Sequence, residues 1–157
     1  VGCAWVTVIA GDRLTNLPAS GAVSYDLIGF TTPTRHDEST STGSVSGGAA
    51  VVFGANPVVA LDLDITSGTE SFNLYTTGKL TDPTQSTLAI NPADGMFHTL
   101  GRADGFDSSK NAVFVDSAAA FCASSCAGFV EGFLAGDGAS HMGLASWARR
   151  RVLKTPS

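Results

Sequence analysis

Charged side chains are scarce in this chain of 157 residues: they make up 15% of it, against roughly 25% in an average soluble protein. Low charge combined with an apolar fraction of 43% excludes an intrinsically disordered chain. No uncharged apolar run approaches the roughly 18 residues that a membrane helix needs. Three lysines and three glutamates are too few for a coiled coil, and the glycines follow no period of three, which excludes a collagen repeat.

The chain instead contains 18 glycines and many short runs of alternating apolar and polar residues, broken by Gly, Pro, Asn, Asp and Ser. This pattern is typical of β-strands joined by turns, and no segment shows a sustained helical period. The clearest strand covers residues 58–65, where Leu61, Leu63 and Ile65 face one way and Asp62 and Asp64 face the solvent. We therefore predict an all-β domain.

About eight strands in sequential, meander-like order are predicted. Their ranges are 5–10, 22–30, 43–53, 58–65, 70–77, 96–102, 128–134 and 142–147. A short strand over 86–90 is a further candidate, and 112–126 is ambiguous between helix and strand, although Val113-Phe114-Val115 favours a strand. An antiparallel sheet of this size leaves exposed edges unless it closes, so we expect a small eight-stranded antiparallel barrel, with a two-sheet β-sandwich as the alternative. Residues 1–148 form this single domain, and residues 149–157 form a basic tail.

The net charge of −5 conceals a strong asymmetry. Arg149, Arg150, Arg151 and Lys154 are four of the nine basic residues, which leaves 9 − 4 = 5 basic against 14 acidic side chains in residues 1–148. A domain this acidic repels phosphate backbones, so a nucleic-acid partner is not expected. The tail is a candidate contact for an acidic partner or an anionic membrane surface; the alternative is a solvated terminus.

The three cysteines bear on the compartment. Only three small residues separate Cys122 from Cys126, and a disulfide between them is predicted if the chain turns there; a reduced pair and a metal site are the alternatives. A disulfide fits an oxidising compartment. Cys3 follows Val1-Gly2 and either ends a lipoprotein signal, as the lipidated residue, or simply precedes the first strand. We expect a location in the bacterial periplasm, at the outer-membrane surface or outside the cell.

No catalytic group, metal site or cofactor is predicted. Ser140 and His141 are adjacent, and adjacent strand residues point to opposite faces, so they are not expected to share a proton. His98 alternates with Met96 and Leu100 and is predicted to face the interior, as a candidate ligand residue or as a satisfied interior polar group.

Three stretches resemble the transferrin-binding-protein-B-like β-barrel domain, which is also found after FecR-type regions in proteobacterial proteins. They are the glycine-containing hairpin over 127–145, the opening over 17–25 with Thr32-Pro33-Thr34, and the strands around 51–54 and 61–63. Asp137-Gly138 stands where Pro-Asn is common in the family. These motifs are glycines, turns and strand alternation, so the resemblance implies a barrel at the bacterial envelope; functional contacts in the family lie mainly on variable loops.

The sequence therefore predicts a non-catalytic interaction module that binds a partner protein through loops and strand edges. The predicted contacts lie in the polar loops 35–42 and 103–111 and in the basic tail. They are Arg35, His36, Asp37, Glu38, Asp104, Asp107, Arg149, Arg150 and Arg151. The alternative is a carrier that holds a small apolar ligand or haem inside the barrel, close to His98.

Overall fold

The computed structural model of this chain describes residues 11–33, 42–99, 113–116 and 126–150. The described chain is all-β, as predicted: eight strands and two short 3-10 turns. The strands are β1 (Gly21–Asp26), β2 (Gly43–Phe53), β3 (Val58–Ser67), β4 (Glu70–Thr76), β5 (Met96–His98), β6 (Val113–Asp116), β7 (Cys126–Ala135) and β8 (His141–Arg150).

Five of the strands form one antiparallel sheet in the order β1-β2-β3-β4-β6. The predicted hairpin between β3 and β4 is confirmed, with Ser67 opposite Glu70 and the turn at Gly68. Alternation along β3 is also confirmed, because Leu61 is buried while Asp62 and Asp64 are exposed. The sequence therefore specifies the centre of this sheet well, where each strand is paired along both edges.

The remaining strands form a second antiparallel sheet in the order β5-β7-β8. The prediction of a simple meander is wrong here, because β5 joins the second sheet while β6 returns to pair with β4. The departure from a simple meander originates at the start of β3. Strand β4 pairs only with the Asp62–Ser67 half of β3, and the other half bonds to the later segment, with the Val59 amide donating to the Leu88 carbonyl over 2.9 Å.

The two sheets share one apolar core. Leu61 and Leu74 enter it from the first sheet, Phe97 and Leu134 enter it from the second, and Leu88 enters from the segment that crosses between them; each is at most 1% exposed. Strand β6 lies beside β7 as well as pairing with β4. Two antiparallel sheets are present, and no closed barrel is detected within the described residues.

Three strand boundaries differ from the predicted ones by three residues or more. Strand β1 ends at Asp26 instead of residue 30, and β5 covers three residues of the predicted seven. Strand β8 continues to Arg150, so the backbone of Arg149 and Arg150 belongs to the sheet and not to the predicted tail. The predicted strand over 5–10 lies outside the described residues.

Candidate functional site

Strand β1 lies at one edge of the five-stranded sheet and pairs, among the described residues, only with β2. The carbonyl oxygen of Tyr25 faces β2, since it lies 2.8 Å from where a Cβ on Gly48 would be. Backbone groups alternate between the two edges of an antiparallel strand. The N–H and C=O groups of Ala22, Ser24 and Asp26 therefore face the other edge of β1, which no described strand covers and which we call the open edge.

The chain beyond β1 forms an arch that carries apolar side chains into solvent. It leaves β2 after Asp26, which is opposite Gly48, and returns at Pro33, whose Cδ lies 3.0 Å from where a Cβ on Gly43 would be. Within the arch, Leu27 is 38%, Ile28 94% and Phe30 50% exposed. These are three of the five exposed large hydrophobic residues in the described chain.

We call the open edge of β1 together with residues 27–30 the edge surface. Isolated exposed apolar side chains are ordinary on protein surfaces, whereas a contiguous group marks a contact site. An open strand edge is itself a template for pairing with another chain. The edge surface combines both features within ten consecutive residues, 21–30.

A partly buried hydrogen bond holds this surface to the second sheet. The hydroxyl of Tyr25 donates a hydrogen bond of 2.5 Å to the carbonyl of Ala139, in the connection between β7 and β8. Burial raises the pKa of Tyr25 to about 12. Ala139 is fully buried and has a left-handed φ of 58°, so the acceptor is fixed by its surroundings. The position of β1 therefore depends on contacts with both sheets.

The outer face of the first sheet is polar and solvated, as predicted. The side-chain amide of Asn73 donates to Asp62 Oδ1 over 2.8 Å and to Asp64 Oδ1 over 3.0 Å. Beside them, the rings of Tyr75 and Phe114 stack across β4 and β6 with centroids 5.7 Å apart. The Asn73 amide bonds to both aspartate carboxylates and so offsets the repulsion between them. Stabilisation of the sheet therefore accounts for this group of residues without a ligand.

The expectation that Ser140 and His141 do not interact is wrong. Ser140 Oγ lies 3.0 Å from His141 Nδ1, because Ser140 has a helical backbone conformation at the end of the turn and only His141 begins β8. The strand alternation that would separate them therefore does not apply. Both side chains are exposed. Asp137, the nearby carboxylate, instead accepts a hydrogen bond from the Thr15 hydroxyl over 3.1 Å.

The predicted inward orientation of His98 is also wrong. Phe97 is 1% exposed and occupies the core, whereas Met96 and His98 face outward. The cause is Gly132, opposite Phe97 in β7: a Cβ there would lie 2.3 Å from the Phe97 ring, so the absence of a side chain makes room for the ring. His98 is opposite Glu131 on the outer face of the second sheet.

The other predicted site residues are placed only in part. Cys126 is opposite Arg150, and Ala127 is opposite Arg149, at the far end of the β7–β8 pair. No disulfide is seen among the described residues, and the Cys122–Cys126 disulfide stays a prediction because Cys122 lies outside them. The remaining predicted contacts also lie outside the described ranges: Arg35, His36, Asp37, Glu38, Asp104, Asp107 and Arg151.

The described residues contain no group of three or more His, Cys, Asp or Glu side chains that could hold a metal ion. They also contain no helix with the length and apolar character needed to cross a membrane. Comparison with protein-family models, with curated proteins and with solved structures finds no match to this chain.

Sequence reasoning missed the edge surface because it extended the second predicted strand through residues 27–30. A signal was present, since Leu27 and Ile28 are consecutive large apolar residues and would face opposite sides of a strand. Such a break in alternation indicates either a strand buried on both faces or the end of regular pairing. Gly29, which follows immediately, favours the second interpretation.

Proposed function

We propose that this protein is a non-catalytic interaction module that binds a partner protein through the edge surface. The observation that supports the proposal is the group of exposed apolar side chains in residues 27–30 directly beside the open edge of β1. A partner that adds an extended segment to β1 gains main-chain hydrogen bonds, and its side chains cover the arch.

The energetics favour contact at this place. Ile28 is almost fully exposed, and complete burial of an isoleucine side chain contributes roughly 1.5–3 kcal/mol. Natural edge strands avoid unwanted pairing with lysine, proline or inward-pointing charges. Strand β1 has neither proline nor lysine, and its only charged residue, Asp26, is at its end.

For the architecture we propose the two-sheet sandwich in preference to the barrel. The separation into a five-stranded and a three-stranded sheet around a common core supports it, and so does the edge position of β1. The resemblance to transferrin-binding-protein-B-like barrels and the location at the bacterial envelope or outside the cell stay predictions. They are compatible with an exported module whose partner is another envelope or extracellular protein.

No observation favours the carrier hypothesis. The interior of the described chain contains large, fully buried side chains, among them Phe97, Leu61 and Leu74. His98, the residue assigned to a ligand in that hypothesis, is on the outer face.

The proposal is tested by chemical crosslinking of the purified chain in an extract of its source cells, followed by mass spectrometry. We expect Ile28→Asp and Phe30→Asp to lose at least one crosslinked protein that the unsubstituted chain captures. Met96→Asp is the matched control, since Met96 is 42% exposed on the other sheet, and it should retain that protein. Equal loss in all three variants, or none in any, would show that the edge surface is not the contact.

The two loops predicted from sequence provide the competing site. Replacing residues 35–42 or 103–111 by alanine should leave capture intact if the edge surface carries it. Loss of the same crosslinked protein in a loop variant, with unchanged capture by Ile28→Asp, would instead assign binding to the loops.

A further inference from the structure

We infer that the edge surface pairs with the edge surface of a second copy of this chain, forming a twofold dimer whose two β1 strands are antiparallel neighbours. The inference rests on the proposed function and names its partner. It follows from three properties of β1: the direction of its backbone groups, the placement of its charge and the position of its apolar side chains.

The backbone of β1 is compatible with twofold pairing. Ala22, Ser24 and Asp26 present their N–H and C=O groups at the open edge, as the Tyr25 carbonyl position requires. A twofold axis through Ser24 places Ser24 opposite itself and Ala22 opposite Asp26, so that outward-facing groups meet outward-facing groups. In this register Val23 is opposite Tyr25, and both belong to the face of the sheet that packs on the core.

The charges favour the same arrangement. Like charges directly opposite each other destabilise an antiparallel pair. Asp26 is the only charged residue in β1, and the register places it opposite an alanine. A twofold contact therefore creates no repulsion between the two strands, which is the usual obstacle when a surface meets its own copy.

The arch supplies apolar area on each side of the twofold axis. In this register Leu27 and Ile28 of one copy lie opposite Gly21 and Ser20 of the second copy. The segment that precedes these two residues contains Leu17, Pro18 and Ala19, which are apolar and half-buried or exposed. Isologous contacts of this kind, in which one patch meets an identical patch, are the most common form of protein oligomer.

The interface is small, since one strand and one arch from each copy fall short of the roughly 800 Å² per partner of a standard interface. We therefore expect a reversible dimer. Sedimentation velocity of the full chain should show the mass rising from 16.0 kDa towards twice that value with increasing protein concentration.

Two variants test the contact, and neither is expected to disturb the fold. Ser24→Pro removes an N–H that faces the open edge, where proline is tolerated because no ladder bond to β2 is lost. Ile28→Asp places a charge on a side chain that is 94% exposed. Both should remain monomeric at every concentration, whereas Met96→Asp should dimerise like the unsubstituted chain; a circular dichroism melt verifies that each variant is folded.

Amide hydrogen exchange provides a second readout. The amides of Ala22, Ser24 and Asp26 should exchange quickly in dilute protein and more slowly where the mass has doubled. If these amides are protected in a monomer, another part of the chain covers the edge, and the inference is wrong. A dimer that survives both Ser24→Pro and Ile28→Asp uses another surface and also overturns it.

The failure of this inference is distinguishable from the failure of the proposed function. A chain that is monomeric at every concentration, and whose crosslinked partner is still lost on Ile28→Asp, has a different protein as partner; the second-copy assignment is then wrong and the proposed function stands. A monomer with no Ile28-dependent crosslink contradicts both.

Discussion

Two short apolar stretches, one within the five-stranded sheet and one in the arch that follows β1, differ greatly in their exposure to solvent. In β3, Leu61, Leu63 and Ile65 are at most 5% exposed. In the arch, Ile28 and Phe30 are at least 50% exposed. Strand β3 is paired on both edges and alternates with aspartates, whereas the arch follows a strand with one described neighbour. The comparison shows that hydrophobicity alone does not bury a segment; pairing on both edges and strict alternation do.

Substitution of Gly47 has the largest expected effect on stability. This residue lies in β2, next to Gly48, which is opposite the last residue before the arch. Its φ is 113°, and a Cβ there would lie 2.0 Å from the backbone carbonyl oxygen of Asp62 in β3. We predict that Gly47→Ala lowers the free energy of unfolding by about 4 kcal/mol, through backbone strain and a steric clash with main-chain atoms. Urea denaturation at equilibrium measures this loss.

Gly29 provides the matched control inside the arch. Nothing lies within 4 Å of where its Cβ would be. Gly29→Ala should therefore change the free energy of unfolding by no more than about 0.5 kcal/mol. Equal effects of the two substitutions would mean that Gly47 does not hold β2 against β3 in the way described.

Truncating one side chain from each stretch sharpens the same comparison. Leu61 is 1% exposed and Ile28 is 94% exposed. We predict that Leu61→Ala lowers the free energy of unfolding by about 3 kcal/mol, because it leaves a cavity in the shared core. Ile28→Ala should stay within about 0.5 kcal/mol of the unsubstituted chain, since an exposed side chain loses little burial. The measurement is made in dilute protein, where self-association cannot stabilise the folded state.

A large loss of stability on Ile28→Ala in dilute, monomeric protein would mean that the arch is covered within one chain. That result would remove the physical basis of the edge surface. A small loss on Leu61→Ala would instead show that the core tolerates a cavity at β3, and the contrast between the stretches would be weaker than the exposures indicate.

The parts of the fold that could be predicted are those in which local pattern and final burial agree. The range predicted for β2 matches the observed strand, and β3 and β4 differ from prediction by at most two residues at either end. The strands of the closing hairpin differ from prediction by at most three residues at either end, and its glycine-rich turn follows Ala135. Alternation and turn residues are local signals, so they are visible in the sequence before any tertiary contact is known.

The features that could not be predicted depend on contacts between distant residues. The orientation of Phe97 and His98 is decided by Gly132, which makes room for a ring from another strand. The division of β3 between β4 and the crossing segment depends on the bond between Val59 and Leu88. No single-strand pattern contains either fact. The edge surface falls between the two cases, because its broken alternation was visible but the open edge of β1 was not.

Tyr25 links β1, the strand that leads into the arch, to the connection between β7 and β8, and its substitution has the smallest of the three predicted losses of stability. Tyr25→Phe removes the hydrogen bond to the carbonyl of Ala139 and leaves that buried acceptor without its partner. We predict a loss of about 1 kcal/mol in the free energy of unfolding at neutral pH. An unchanged stability would mean that the bond does not fasten β1 to the β7–β8 connection.

The pH dependence provides a signature that a merely structural loss would not produce. The pKa of Tyr25 is about 12 in the folded chain, against 10.0 for an unperturbed tyrosine, because burial disfavours the phenolate. Between these values the unfolded chain releases the proton and the folded chain keeps it, so stability falls as the pH rises from about 10 towards 12. This tyrosine has no such effect below about pH 9, where it is protonated in both states. The fall should be shallower in Tyr25→Phe than in the unsubstituted chain.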